Sequence, residues 1–157
     1  MQPNMPIQLQ FLPASDTDCP ARTKLMRASK AHWGYAPELL RQWEQELTIG
    51  SAHLAQYLVR KAMAEEQLVA FFSLAFAERR CYMENLFVNP LQMGKGYGKA
   101  MYREAVIQAK EQGALELWLR ADPHATDFYL HMGMRQVGLA PGSAPGRYLP
   151  LMLCTLV

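Results

Sequence analysis

The chain has 157 residues, half of them hydrophobic and 19% charged, with a formal charge of +2. That size and texture describe one globular domain spanning residues 1–157, large enough to bury roughly 68–70% of the surface its unfolded form exposes. So small a net charge, with no basic run interleaved with aromatics, points away from nucleic acid as a partner.

Ile7, Leu9 and Phe11 alternate with Gln8 and Gln10 until Pro13, which predicts a short strand with one buried face. Asp16 or Thr17 then caps a helix that carries Leu25, Met26 and Ala28 and ends near Gly34. Pro37 opens a second helix, with Leu39, Leu40 and Trp43 on one side and Glu38, Gln42 and Glu46 on the other. From Ser51 the texture turns to strands. Leu54 to Met63 and Gln67 to Ala77 read as a hairpin about Ala64–Glu65–Glu66, and Cys81 to Val88 reads as the next strand, closed by Asn89–Pro90. A glycine-rich turn follows, then a helix to about Gln112 with Gly113 just past its end. Leu115, Leu117 and Leu119 alternate in a further strand, and Asp122 with Pro123 starts a short helix that Gly133 stops. Two closing strands lie around Met134 to Leu139 and Tyr148 to Leu156. Consecutive strands imply a largely antiparallel sheet, while the strand–helix–strand unit from Cys81 to Arg120 implies one parallel pair inside it.

Cys19, Cys81 and Cys154 are odd in number, widely spaced and lack a CxxC pair, so neither a disulfide framework nor a zinc site is expected. His53, His124 and His131 have no metal-ligand spacing either, and no metal is assigned. The first ten residues have neither a cationic start nor an apolar run, which is unlike a signal peptide. The stretch Leu68 to Ala77 is interrupted by Ser73 and too short to cross a bilayer. A cytoplasmic protein with no membrane partner is expected.

The sharpest feature is the turn Gly94–Lys95–Gly96–Tyr97–Gly98 between strand and helix. Glycines there let the backbone bend tightly and present bare N–H groups, and the helix start adds unpaired donors with about half a positive charge. Lys95 and Lys99 add to the field. Such a site suits a pyrophosphate, although an isolated GxG is as often only a packing turn. Two nucleotide motifs fail on specific residues. A dinucleotide fingerprint needs a glycine at 99 or 101, where Lys99 and Met101 stand, and a P-loop needs Ser or Thr where Ala100 follows Lys99.

The run Glu84 to Gly98, with Val88–Asn89–Pro90, a short spacer and Gly94-x-Gly96, resembles the central motif of the GNAT N-acetyltransferases. Downstream, Asp122 to Tyr129 followed by Gly133–Met134 resembles that family's second motif, in the right order and separation. The family usually has Gln or Arg at the place of Met93, and Asn at the place of Asp122. The resemblance covers roughly Leu54 to Leu156. It implies an α/β (α+β) fold with a mixed, mostly antiparallel sheet of about six to seven strands and about four helices. The cofactor, acetyl-CoA, would enter at a splay between the fourth and fifth strands.

By the same resemblance, the backbone of Leu86, Phe87 and Val88 pairs with the pantetheine arm. Met93, Gly94, Lys95, Gly96, Tyr97, Gly98 and Lys99 hold the pyrophosphate, and Asp122 and Phe128 complete the cofactor contacts. A Cβ at Gly96 is expected to obstruct this loop. Tyr129 is the general acid implied for the departing thiolate; without the motif it reads rather as a core aromatic beside Phe128. Glu84 is the candidate base, or else a surface carboxylate paired to Arg79 or Arg80. Trp33, Tyr35 and Arg147 are candidates for lining the acceptor pocket, with packing or solvation as the plain alternative. The implied reaction moves an acetyl group to a primary amine on a small molecule or peptide. A non-catalytic acyl-CoA sensor is the alternative, and a homodimer is a family-level expectation.

Overall fold

The computed structural model describes residues 9–42, 51–92, 94–142 and 145–156. Ile7, Trp43, Glu46 and Met93 lie outside the described residues. The strands are β1 (Gln10–Pro13), β2 (Leu58–Ala64), β3 (Gln67–Ala77), β4 (Arg80–Val88), β5 (Glu116–Arg120), β6 (Arg135–Pro141) and β7 (Tyr148–Thr155). The α-helices are α1 (Cys19–His32), α2 (Pro37–Gln42), α3 (Ser51–Gln56), α4 (Tyr97–Glu111) and α5 (Thr126–His131). The strands form one mixed sheet in the order β1-β2-β3-β4-β5-β7-β6. Strand β1 is antiparallel to β2, and β7 is antiparallel to both β5 and β6. Strands β4 and β5 are parallel, as the strand–helix–strand unit between them requires. Two-residue turns at Glu65–Glu66 and Glu78–Arg79 join β2 to β3 and β3 to β4. All four turn residues have positive φ, between 51° and 70°, the geometry that matches the twist of a tight hairpin.

One expectation about the strands needs correction. Leu54 to Gln56 are not the start of a strand but the end of α3, and the strand begins at Leu58. Ala52, Leu54, Ala55 and Gln56 are good helix formers, the Tyr57 N–H donates to the His53 carbonyl at 3.0 Å, and strand-favouring residues begin only at Tyr57. The described residues carry five α-helices beside the seven-stranded mixed sheet, in keeping with the expected architecture of six to seven strands and about four helices.

The chain divides into two compact units, Met1–Phe72 with Leu86–Met101, and Ser73–Asn85 with Tyr102–Val157; β3, β4 and α4 each run from one into the other. In the first unit, Cys19, Leu25, Met26, Val59 and Phe71 form a buried cluster, against which Tyr35, Leu39, Leu40, Leu54, Tyr57 and Phe87 pack. Arg22 shares the buried stripe of α1 with Cys19, Leu25 and Met26 and is itself 0% exposed. Lys61 on β2 holds Asp18 at the start of α1, at 2.9 Å. Burial alone would raise the Asp18 pKa, but the Ser15 N–H and the Lys61 ammonium outweigh it and hold the carboxyl below its usual value. In the second unit, Cys81, Leu117 and Met152 are fully buried on the sheet, with Tyr102, Ala105 and Ala109 of α4 and Tyr129 of α5 also buried. Burial pushes the Cys81 thiol up to about 12.

Candidate functional site

In the first unit, β4 ends in a fixed sequence of turns. The Asn89 N–H donates to the Val69 carbonyl at 2.8 Å, and its side-chain oxygen accepts from the Leu91 N–H at 3.0 Å. A short 3-10 turn over Pro90–Gln92 follows. Gly94 and Gly96 then adopt φ of +85° and +79°, a left-handed conformation that costs any residue with a Cβ roughly 1–2 kcal/mol. These two glycines turn the chain into α4, whose 15 residues begin at Tyr97. The Ala100 N–H is the donor that reaches back to the Gly96 carbonyl, at 3.1 Å, so Tyr97, Gly98 and Lys99 form the first turn. Their N–H groups precede the first intrahelical bond, at the positive end of the helix dipole.

A Cβ built on Gly94 or Gly96 meets nothing within 4 Å. The expected obstruction at Gly96 is thus absent from the unliganded chain; the glycine is required by its φ, and the space over it is open. That open face beside a row of amides fits an anionic group approaching the main chain closely. The Tyr97 side chain is buried, 5% exposed, so it anchors the loop and leaves only its backbone for a ligand. Lys99 is exposed, and the Lys95 ammonium donates to the Gln92 side-chain oxygen at 2.7 Å. Leu86, Phe87 and Val88 are half-buried, and the Phe87 ring packs on Phe71 with centroids 5.6 Å apart.

The second unit carries the candidate acid–base residues. The Asp122 carboxylate accepts from the His124 N–H at 2.9 Å and so caps the 3-10 turn Pro123–Ala125 that leads into α5. Tyr129 is buried there, 7% exposed, with Phe128 edge-on at 5.1 Å and Tyr102 at 6.4 Å. Burial first, and the Asp122 charge second, raise the Tyr129 pKa well above that of a free phenol. Its hydroxyl therefore keeps its proton throughout the neutral range. Tyr102 is shifted the same way, by burial and then by the Cys154 thiol. Its hydroxyl is sealed from solvent beside that thiol, outside hydrogen-bond geometry.

Glu84 alternates outward between the buried Met83 and half-buried Asn85, and its carboxylate lies 3.8 Å from Arg120. Arg80, weighed earlier as its partner, instead pairs with Glu116 at 3.1 Å, the residue directly opposite it on β5, and its guanidinium lies over Trp118. The β4–β5 register covers Arg80–Tyr82 against Glu116–Trp118 and goes no further, so Met83–Val88 have no partner on β5.

The acceptor-lining candidates are spread out. Trp33 follows α1 and meets His32 edge-on at 5.0 Å. Tyr35 packs on the buried cluster of the first unit, with the Lys30 ammonium 5.8 Å from its ring centroid. Arg147 belongs to the second unit, where its carbonyl accepts from the Gly142 N–H at 2.7 Å. Arg22 and Tyr102 were not singled out by sequence reading. The one available signal was an arginine on the 19–22–25–26 stripe of an amphipathic helix, where water-facing charge does not belong. Among the described residues no group of three metal-ligating side chains gathers, and no helix is long and apolar enough to cross a membrane.

A sequence profile of the acetyltransferase (GNAT) family matches residues 21–134. The chain belongs to that family. Solved structures share its fold at low sequence identity. The PaiA N-acetyltransferase of Thermoplasma acidophilum, solved in complex with coenzyme A, is 19% identical with a TM-score of 0.79, over 95% of this chain and 99% of its own. A GCN5-related N-acetyltransferase from Rhodopseudomonas palustris is 20% identical with a TM-score of 0.80, over 97% and 99%. The ribosomal-protein-S18-alanine N-acetyltransferase of Escherichia coli is 17% identical with a TM-score of 0.71, over 95% and 94%. No curated protein sequence matches the chain significantly. Family membership makes acyl transfer from an acyl-CoA the setting in which the loop and Tyr129 are to be understood.

Proposed function

We propose that the chain transfers an acetyl group from acetyl-CoA to a primary amine by direct attack. The observation that carries this reading is the Gly94–Lys99 turn. Two left-handed glycines with open space above them lead into the amide-rich start of a 15-residue helix, inside a family of acetyltransferases. The amides from Gly94 to Lys99 hold the pyrophosphate, with Met93 in the same run, and the backbone of Leu86–Val88, which has no partner on β5, takes the pantetheine arm as an added strand. Asp122 caps the turn that orients Phe128 and Tyr129.

In the chemical step the amine nitrogen bonds to the acetyl carbon and the carbon–sulfur bond breaks. Tyr129, held protonated by burial, donates to the departing thiolate. Glu84 takes the surplus ammonium proton, directly or through a water, and solvent restores the tyrosine. Trp33, Tyr35 and Arg147 are assigned to the acceptor side. The three cysteines are free, which supports a reducing, cytoplasmic setting, and the elements shared by the two units support one domain over residues 1–157. A homodimer is part of the same proposal.

One observation favours a second reading, an acyl-CoA sensor without turnover: the candidate base Glu84 is engaged by Arg120. A thiol-release assay with acetyl-CoA across an amine panel decides between them. Release that depends on amine and enzyme supports transfer. Tight acetyl-CoA binding with no release on any amine supports the sensor, and no binding at all defeats both.

A further inference from the structure

Past Tyr82 and Trp118 the main chains of β4 and β5 no longer pair, yet the next outward position is still bridged. Two residues further along each strand stand Glu84 and Arg120, with their charged groups 3.8 Å apart. Arg120 is steadied from another side, where its other terminal nitrogen donates to the Pro141 carbonyl at 3.1 Å. Among the described residues neither side chain makes any other hydrogen bond or ion pair, so Nε and most of the N–H groups of Arg120 face water. The two side chains are 52% and 36% exposed, so a ligand reaches both without any movement of the core. An exposed pair at this distance is loose and contributes little to stability. It braces the strands poorly. A guanidinium fixed at one nitrogen beside a loosely held carboxylate is instead well suited to a ligand that carries both charges.

Resting on the acetyl-transfer reading above, in which Glu84 takes the ammonium proton of the acceptor, we propose that Arg120 binds a carboxylate on that same acceptor, which is a free α-amino acid. One carbon joins the ammonium to the carboxylate in such a molecule, so its two charges lie about as close together as those of Glu84 and Arg120. A zwitterion laid alongside the pair exchanges partners with it. The ligand carboxylate takes the open side of the Arg120 fork, and Glu84, released, turns to the ammonium. Charge is balanced throughout, since a neutral pair receives a neutral ligand. A plain amine makes only the second contact and must compete with Arg120 for Glu84. A peptide N-terminus, whose own carboxyl is an amide, offers Arg120 no charge. The Glu84–Arg120 contact is then the resting form of an acceptor site, with each side chain standing in for one end of the amino acid.

The test uses the full chain with acetyl-CoA and the common L-α-amino acids, each beside its carboxamide and its decarboxylated amine, as in L-phenylalanine, L-phenylalaninamide and phenethylamine. A further acceptor, 6-aminohexanoate, keeps a carboxylate but holds it far from the amine. Wild type should acetylate at least one α-amino acid with kcat/KM about tenfold or more above its amide, its decarboxylated amine and 6-aminohexanoate. Arg120→Met should remove that preference chiefly by raising KM for the amino acid, while kcat/KM for the decarboxylated amine stays within about threefold of wild type or rises. Arg120→Lys, which keeps the charge and loses the fork, should retain part of the preference. A wild type that prefers the amides or plain amines, one that uses 6-aminohexanoate equally well, or an Arg120→Met that slows every acceptor equally overturns the proposal. Should Arg120→Met fail to fold, the wild-type preference and Arg120→Lys decide by the same criterion. Turnover of plain amines with no preference for amino acids would refute the Arg120 assignment and leave acetyl transfer standing. Absence of acetyl-CoA binding, or binding with no thiol released on any amine, would fail acetyl transfer and this proposal with it.

Discussion

The Gly94–Lys99 loop and the aromatic cluster around Tyr129 are built on opposite principles. The loop offers main chain: its two glycines are left-handed, its tyrosine is buried for anchorage, and its lysine at 95 is already bonded to Gln92. The cluster offers a single side chain, Tyr129, packed by Phe128 and Tyr102 and shifted in pKa by burial and by Asp122. Binding of a common cofactor portion tolerates side-chain change wherever the backbone path is kept. Proton transfer depends on one atom and tolerates none. The first region should therefore be sensitive to backbone conformation, and the second to the identity of one functional group.

The largest effect should come from Tyr129. Tyr129→Phe is expected to lower kcat about 10²-fold in a thiol-release assay while acetyl-CoA affinity is nearly unchanged, because the ring and its packing survive. Intact turnover would move the acid elsewhere. Next comes the loop. Gly96→Val should weaken acetyl-CoA binding about tenfold by calorimetry, through conformational strain at φ +79°. Lys95→Ala should weaken it by less, and a lysine effect exceeding the glycine effect would break the contrast just drawn. Glu84→Gln should reduce kcat/KM about tenfold, with the unfolding midpoint in urea unmoved, since its pair with Arg120 is solvent-exposed. Loss of stability without loss of turnover would make Glu84 a structural residue. The smallest effect belongs to Tyr102→Phe, which removes a sealed hydroxyl with no partner. The variant should be as stable as wild type, or more stable by about 1 kcal/mol, in urea unfolding.

The loop was legible in the sequence because its requirement is local: glycines at two positions, a strand before and a helix stripe after. The caps at Asp122 and Gly113 were legible for the same reason, each being satisfied within a few residues, as the Gly113 N–H donating to the Lys110 carbonyl at 3.0 Å illustrates. What escaped depends on neighbours distant along the chain. Glu84 reads by sequence as a partner for Arg79 or Arg80, a few residues away, yet it meets Arg120, while the parallel β4–β5 register sets Arg80 opposite Glu116. Ser51–Gln56 is too short to show helical periodicity before Tyr57, Leu58 and Val59 bring in strand texture. Arg22 and Tyr102 look like an ordinary surface cation and an ordinary core aromatic. Only the packing around them exposes the unpartnered Nε and hydroxyl.

The hairpin turns at Glu65–Glu66 and Glu78–Arg79 have a practical consequence. Four residues with bulky side chains sit where asparagine and glycine are at ease, so conformational free energy is held in two places that neither the glycine loop nor Tyr129 uses. Relaxing those corners offers a route to a hardier enzyme whose ligand-handling residues are all still native, which is the form best suited to trapping a complex with both substrates.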